Sequence, residues 1–294
     1  MSSPIATVKR TKDIQERYSV FTKKNFGQNF IIEPRIVEKI AEAAVQSADD
    51  LVLEVGPGIG ALTEQLVKRS DHVVAYEIDP RLPEVLENEI GSDHLQVILK
   101  DFLEVDISAE IRRLKKPGQK VRFASNLPYY ITTPILFRLF EAEEPLDSIT
   151  VMMQKEVADR FMAPENSKDY NALSVITQYR AQVEKVMDVS RHVFWPKPRV
   201  DSAVIRFTFP EGRKKVPDEP LFFAFVKGCF LQRRKTLYNN IGAFLDDKEL
   251  ARKILEKSGI PENTRAQQLS VADFIRLYEE NYESIRECKS ESGA

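Results

Sequence analysis

The chain has 294 residues, 43% hydrophobic and 30% charged, with a formal net charge of −2. This composition predicts a soluble globular protein of one large or two modest domains, and no apolar run approaches the ~18 residues that a membrane-spanning helix needs. Its two cysteines, Cys229 and Cys288, stand far apart without a CxxC partner, which argues against a disulfide framework or a zinc site and for a reducing cytoplasm.

The first 28 residues carry six basic side chains against two acidic ones and lack the apolar core of a secretory signal. From about residue 36 to 160, short apolar runs alternate with amphipathic segments. LVLEV (Leu51–Val55), HVVAYEI (His72–Ile78), LQVIL (Leu95–Leu99), VRFAS (Val121–Ser125) and SITVMM (Ser148–Met153) read as strands. Gly60–Arg69, Arg81–Glu89, Ser108–Lys115 and Thr133–Glu141 read as helices. The alternation predicts an α/β, doubly wound parallel sheet, whose ligands bind beyond the carboxyl ends of its strands.

Each strand end carries chemistry. After the first, GPGIGA places Gly56, Gly58 and Gly60 where a tight turn lets the backbone approach a ligand. The same letters fit a dinucleotide fingerprint, and equally a turn that binds nothing. The second run ends YEID, with Glu77 21 residues after Gly56, the spacing of a carboxylate that accepts hydrogen bonds from ribose hydroxyls. The third ends KDFL, where Asp101 can accept from an adenine amine with Phe102 beside the ring, or merely cap the next element. Residues 77 to 110 hold ten acidic side chains against two basic ones. NAD and S-adenosylmethionine both present an adenosine ribose, so these residues predict a nucleoside without choosing between them.

The fourth strand delivers NLPYY to the same edge. An adenine N6 is a poor nucleophile because its lone pair is delocalised into the ring. Two acceptors aimed at its N–H groups, the Asn126 side-chain oxygen and the Leu127 carbonyl, favour a pyramidal nitrogen and stabilise its developing charge. Pro128 restricts Leu127 and so fixes where that carbonyl points. Tyr129 offers a flat face to a base taken out of its stack. A strand-end turn is the plainer reading, but a dehydrogenase has no use for this tetrapeptide, and base-amine methylation does.

Downstream come an apolar segment near Leu173–Gln182, the strand-like VEKVMDV and SAVIRFTF, and a linker PEGRKKVPDEP (Pro210–Pro220). Leu221–Leu245, Asp247–Ser258 and Val271–Glu279 have helical patterns. The expected organisation is a basic arm and cofactor segment over 1–30, a methyltransferase domain over 31–210 and a helical domain over 218–294. From Arg180 to Asn240 there are thirteen basic and six acidic side chains, including Arg233, Arg234 and Lys235. Such clusters suit an anionic polymer, though a solvated helix face has the same composition.

In order and spacing, KKNFGQNFI, EVGPGIGALT, YEID, KDFL, NLPYYITTPIL, MMQKEVADR, FWPKPRVDSAVIRF, FLQRRKTLYNNI and RAQQLS resemble the KsgA-type small-subunit ribosomal RNA adenine N6-dimethyltransferases. The resemblance covers about residues 20–280. It implies a Rossmann-like class I methyltransferase sheet with a small helical C-terminal domain, S-adenosylmethionine as methyl donor, and no metal. It implies two methyl groups on each of two adjacent adenines near the 3′ end of small-subunit ribosomal RNA. The expected partner is that RNA within a preribosomal small subunit, no membrane is expected, and the lack of a long exposed apolar stripe points to a monomer. Carried over, the cofactor contacts are Gln28, Asn29, Ile31, Gly56, Gly58, Glu77, Ile78, Asp101, Phe102 and Asn126. The catalytic set is Asn126, Leu127, Pro128 and Tyr129, with Phe194 on the other face of the flipped base or, alternatively, in the core. Two rivals share much of this pattern: an Erm-like dimethyltransferase of large-subunit RNA, and an RNA-binding assembly factor without turnover.

Overall fold

A computed structural model describes residues 3–20, 29–144 and 146–291. The chain divides into two compact units, Met1–Ala158 with Gln182–Phe209, and Asp159–Ala181 with Pro210–Ala294.

The first unit begins with α1 (Val8–Arg17), β1 (Phe30–Ile31), α2 (Pro34–Ala44), β2 (Leu51–Val55), α3 (Thr63–Leu66), β3 (His72–Glu77), α4 (Leu82–Ile90) and β4 (Leu95–Leu99). It continues through α5 (Ile107–Leu114), β5 (Val121–Asn126), α6 (Thr132–Glu141), β6 (Ser148–Gln154) and α7 (Lys155–Met162), which runs into the second unit. After α8 (Ala172–Arg180), the chain returns as β7 (Gln182–Val189), β8 (Phe194–Trp195) and β9 (Ser202–Thr208).

Seven strands form one sheet in the order β4-β3-β2-β5-β6-β9-β7. Strands β2 to β6 are parallel, and β9 lies antiparallel to both neighbours. That edge departs from the all-parallel expectation because no crossover helix separates β7 from β9, and an antiparallel pair needs none. The strand order reverses between β2 and β5. Their ladder stops at Leu53↔Phe123, whereas β2 and β3 stay paired through Val55↔Tyr76. Beyond Leu53 the two strands part, tied only by Ser125 Oγ donating to Val55 O at 2.5 Å. A crevice opens there, at the topological switch point.

The N-terminal arm is a docked helix. Thr7 caps α1 by accepting from Arg10 N, and Ile14 is fully buried. Arg10 and Arg17 both pair with Glu89 of α4, whose side chain is only 2% exposed. Those two cations are therefore neutralised within the fold, while Lys9 and Lys12 stay exposed. The expected helix over Gly60–Arg69 shortens to α3, since Gly60 at φ 92° holds the chain in a turn before Thr63.

The second unit adds α9 (Glu219–Cys229), α10 (Leu237–Leu245), α11 (Lys248–Lys257) and α12 (Val271–Glu291) to α8. This unit is discontinuous, taking in 159–181 from within the expected stretch 31–210 as well as the residues from 210 onward. Tyr170 OH donates to Leu269 O at 2.9 Å, and Tyr179 OH donates to Glu219 at 2.6 Å, so 159–181 packs with the helices after the linker. The expected helical pattern Leu221–Leu245 also breaks, between α9 and α10. Buried Asn240 holds the break: its Nδ2 donates to Cys229 O and Gln232 O, and its Oδ1 accepts from Gln232 N. No helix among the described residues is long and apolar enough to cross a membrane.

Candidate active site

Two adjoining cavities of about 70 Å³ and about 180 Å³ occupy the crevice, and both are lined by Gly56, Gly58 and Pro128. Gly56 (φ 66°) and Gly58 (φ 59°) adopt left-handed backbone that only glycine takes without strain. A Cβ on Gly58 would come within 3.3 Å of Phe30 Cε1, so the loop lies directly against β1.

The larger cavity gathers Glu77, Ile78, Asp101 and Phe102. Glu77 is 4% exposed and accepts from the backbone N–H of Ile78 (2.8 Å), Asp79 (2.9 Å) and Gly58 (3.3 Å). Burial raises its pKa, and those three donors pull the other way. Asp101 Oδ1 caps the next turn by accepting from Leu103 N at 2.9 Å. Phe102 is fixed edge-on against Tyr76 with ring centroids 5.2 Å apart. Tyr130, 59% exposed, adds an aromatic wall that sequence reasoning did not assign.

The smaller cavity gathers Asn29, Ile31, Asn126, Leu127 and Tyr129. Asn126 Nδ2 makes a long 3.5 Å contact to Asn29 O, which turns its Oδ1 away from that backbone. Leu127 is buried beneath the wall at 1% exposure. Tyr129 OH is 2.9 Å from Ser202 Oγ at the start of β9. Burial raises the phenol's pKa and the Ser202 bond lowers it. Ser202 is thus a positioning residue, visible in the sequence only as part of VDSAVIRF.

Glu54 is the principal residue the sequence did not disclose. It sits in β2, 1% exposed, between four apolar neighbours, and lines the smaller cavity. Its Oε2 has no hydrogen-bond partner among the described residues. Burial pushes its pKa up to about 8, the nearby Thr63 hydroxyl opposing this and the Glu77 charge adding to it. A buried carboxyl with an unused oxygen on a cavity wall is a seat for a cation.

Phe194 is 2% exposed inside the hydrophobic core, opposite Ile31 in the β1–β8 ribbon, and does not line either cavity. Arg233, Arg234 and Lys235 are exposed, but on the loop between α9 and α10 rather than on a helix face. Gln28 lies outside the described residues.

Comparison with known proteins gives consistent matches. The family model for ribosomal RNA adenine dimethylase matches residues 21–283. Ribosomal RNA small subunit methyltransferase A of Bacillus mycoides is 46% identical over 279 residues, 93% of this chain and 96% of that protein. The same-named protein of Bacillus anthracis matches equally. Among solved structures, a dimethyladenosine transferase from Plasmodium falciparum superposes with a TM-score of 0.75 at 25% identity, over 86% of this chain and 97% of that one. The 23S rRNA methyltransferase ErmE superposes with a TM-score of 0.66 at 27% identity, over 86% and 99%.

Proposed function

The chain belongs to the ribosomal RNA adenine dimethylase family, and from that premise we propose that it dimethylates N6 of two adjacent adenosines near the 3′ end of small-subunit ribosomal RNA, with S-adenosylmethionine as donor. The observation that carries the reading is the two-lobed crevice. One lobe offers Glu77 and Asp101 to an adenosine, the other offers Asn126, Leu127 and Tyr129 to a second base, and Gly56, Gly58 and Pro128 join them.

The residues present suit the cofactor. Glu77 meets the ribose hydroxyls, and the remaining Asp101 oxygen meets the adenine amine beside Phe102. Glu54 meets the ammonium of the methionine part, a cation that would return its carboxyl to the charged form. Asn29 and Ile31 close the lobe from β1. When bound, S-adenosylmethionine supplies an activated electrophilic methyl on sulfur.

The chain's own part is to make the target amine nucleophilic. Asn126 Oδ1 and the Leu127 carbonyl accept its N–H groups and stabilise the positive charge that develops there. Pro128 holds the Leu127 carbonyl in direction. Tyr129, tethered by Ser202, supports the unstacked base with its ring. Its phenol, held neutral by burial, takes no proton, so the proton lost from the alkylated amine leaves to water. The exposed Arg233, Arg234 and Lys235 meet RNA phosphates. The working setting is a cytoplasmic preribosomal small subunit, met by a monomer.

Methyl transfer from tritiated S-adenosylmethionine to undermethylated small subunits tests this, with the labelled nucleoside identified as N6,N6-dimethyladenosine at two neighbouring positions. Label on large-subunit RNA instead would favour the second reading, which the likeness to ErmE keeps in view. Binding without any transfer would leave only an assembly role.

A further inference from the structure

Trp195 is the chain's single tryptophan, and it is 46% exposed. A lone exposed apolar side chain needs no explanation, but this one has company. Successive side chains of a strand point to opposite faces, so in β8 Phe194 turns into the core while Trp195 stays outside. The register Phe30↔Trp195 sets the indole beside Phe30, which packs on the glycine loop and lines the smaller cavity. Trp195 therefore stands next to a wall of the candidate methylation pocket, one place further out.

Its surroundings are cationic. Lys12 of α1 holds its ammonium 4.8 Å from the indole centroid. The segment Arg191–Val200 contains Arg191, Lys197 and Arg199 and no acidic residue. Arg191 is fixed by a 2.9 Å bond to Arg199 O, and Lys197 Nζ lies 3.4 Å from His192 Nε2. All of these side chains belong to the first unit. With Lys12 over one face, the exposed ring keeps its other face for a base, and proteins hold unpaired nucleotides in this way, base on the aromatic and phosphate on nearby charge.

We propose that Trp195 and Lys12, with Lys197 and Arg199, form a subsite for the unpaired nucleotide adjoining the target adenosine. The base stacks on the indole face turned away from Lys12, and its phosphates meet the two lysines. The proposal rests on the RNA-methylating reading and extends it outward from the pocket.

Because Trp195 is the sole tryptophan, the protein's tryptophan emission reports on this position alone. The wild-type chain is titrated with a single-stranded RNA oligonucleotide carrying two adjacent adenosines and unpaired flanks, and binding is followed in parallel by the anisotropy of a label on the RNA. Quenching with the same midpoint as the anisotropy change is expected, and its loss is expected when the flanking nucleotide is made abasic. In methylation of small subunits, Trp195→Ala should raise KM about tenfold beyond any fall in kcat, and Trp195→Phe should recover most of it. Lys12→Gln leaves the indole in place and should lower the slope of log affinity against log salt by about 0.7. Emission unmoved by RNA that binds, or an unchanged KM for Trp195→Ala, overturns the proposal. The fluorescence arm needs no turnover, so it decides the subsite by itself, whereas absence of methylation by the wild type would strike the functional reading instead.

Discussion

Glu54→Gln isolates the buried carboxyl at the pocket wall with almost no change of shape. In the cofactor-free protein, burial lifts Glu54 from an ordinary 4.5 to about 8. Because the folded-state value is the higher one, the stability tied to the protonated form is complete below about 4.5 and is lost as pH rises through about 8. The gap, at about 1.4 kcal/mol per pH unit, amounts to about 5 kcal/mol. Glutamine carries no charge, so the variant should keep its stability across that window while the wild type declines by several kcal/mol. Urea unfolding at intervals from about pH 5 to about pH 9, followed by circular dichroism, measures both curves. Saturating S-adenosylmethionine should reverse the order, because an ammonium beside Glu54 rewards the charge that bare burial penalises. The variant's affinity for the cofactor should fall about tenfold or more, the scale of one charge-assisted hydrogen bond. Parallel stability curves for the two proteins, or equal cofactor affinities, would refute the placing of a cation at Glu54.

Asn126→Ala should retain RNA binding and lose methyl transfer by about a hundredfold, as expected when one preorganised charge-stabilising group is removed; single-turnover transfer to small subunits reads this. Replacing Arg233, Arg234 and Lys235 together by glutamine should weaken RNA binding and reduce the slope of log affinity against log salt by up to about 2, measured by filter binding at several salt concentrations. An unchanged slope would return them to the solvated surface. Asn240→Ala removes three hydrogen bonds from a side chain 2% exposed. It should cost about 2–3 kcal/mol, seen as a lower urea midpoint for the helical unit. Ser202→Ala frees the Tyr129 ring, so kcat should fall several-fold with cofactor affinity unchanged; a fall in cofactor affinity instead would tie Ser202 to the cofactor rather than to the base.

The parallel strands were legible because each is a short apolar run closed by polar punctuation, and β2 to β6 begin at the expected residues. Periodicity could not reveal membership. The segment around α8 reads as one more apolar stretch of the sheet domain, yet its tyrosines bond to groups far along the chain. The helix α1 was missed because its apolar positions are sparse: Ile14 alone carries it into the core, helped by ion pairs to a distant Glu89. The two-residue β8 is too short for any pattern, so nothing in FWPKP says which aromatic turns inward; the pairing with β1 decides that. Glu54 was hidden for a related reason. One acid within LVLEV looks like the exposed position of a half-buried strand, and only a sheet covered on both faces makes it a buried carboxyl.

The choices that the sequence posed as alternatives were partly false ones. Asp101 was either a cap or a ligand group, but a carboxylate has two oxygens, and the cap uses Oδ1 alone. Glu77 likewise anchors the glycine loop through Gly58 N while two further N–H groups share its other oxygen. Asn126 turns its amide nitrogen toward Asn29 O, which directs its carbonyl oxygen away from that backbone. At all three strand ends a backbone contact fixes the side chain's direction, local for Asp101, local and through Gly58 for Glu77, and from the distant Asn29 for Asn126. A turn role and a ligand role therefore do not exclude one another, because the hydrogen bonds that shape a turn can also aim its side chains. The carboxyl edge can host both because the parting of β2 from β5 removes the ladder that would otherwise occupy the space between them.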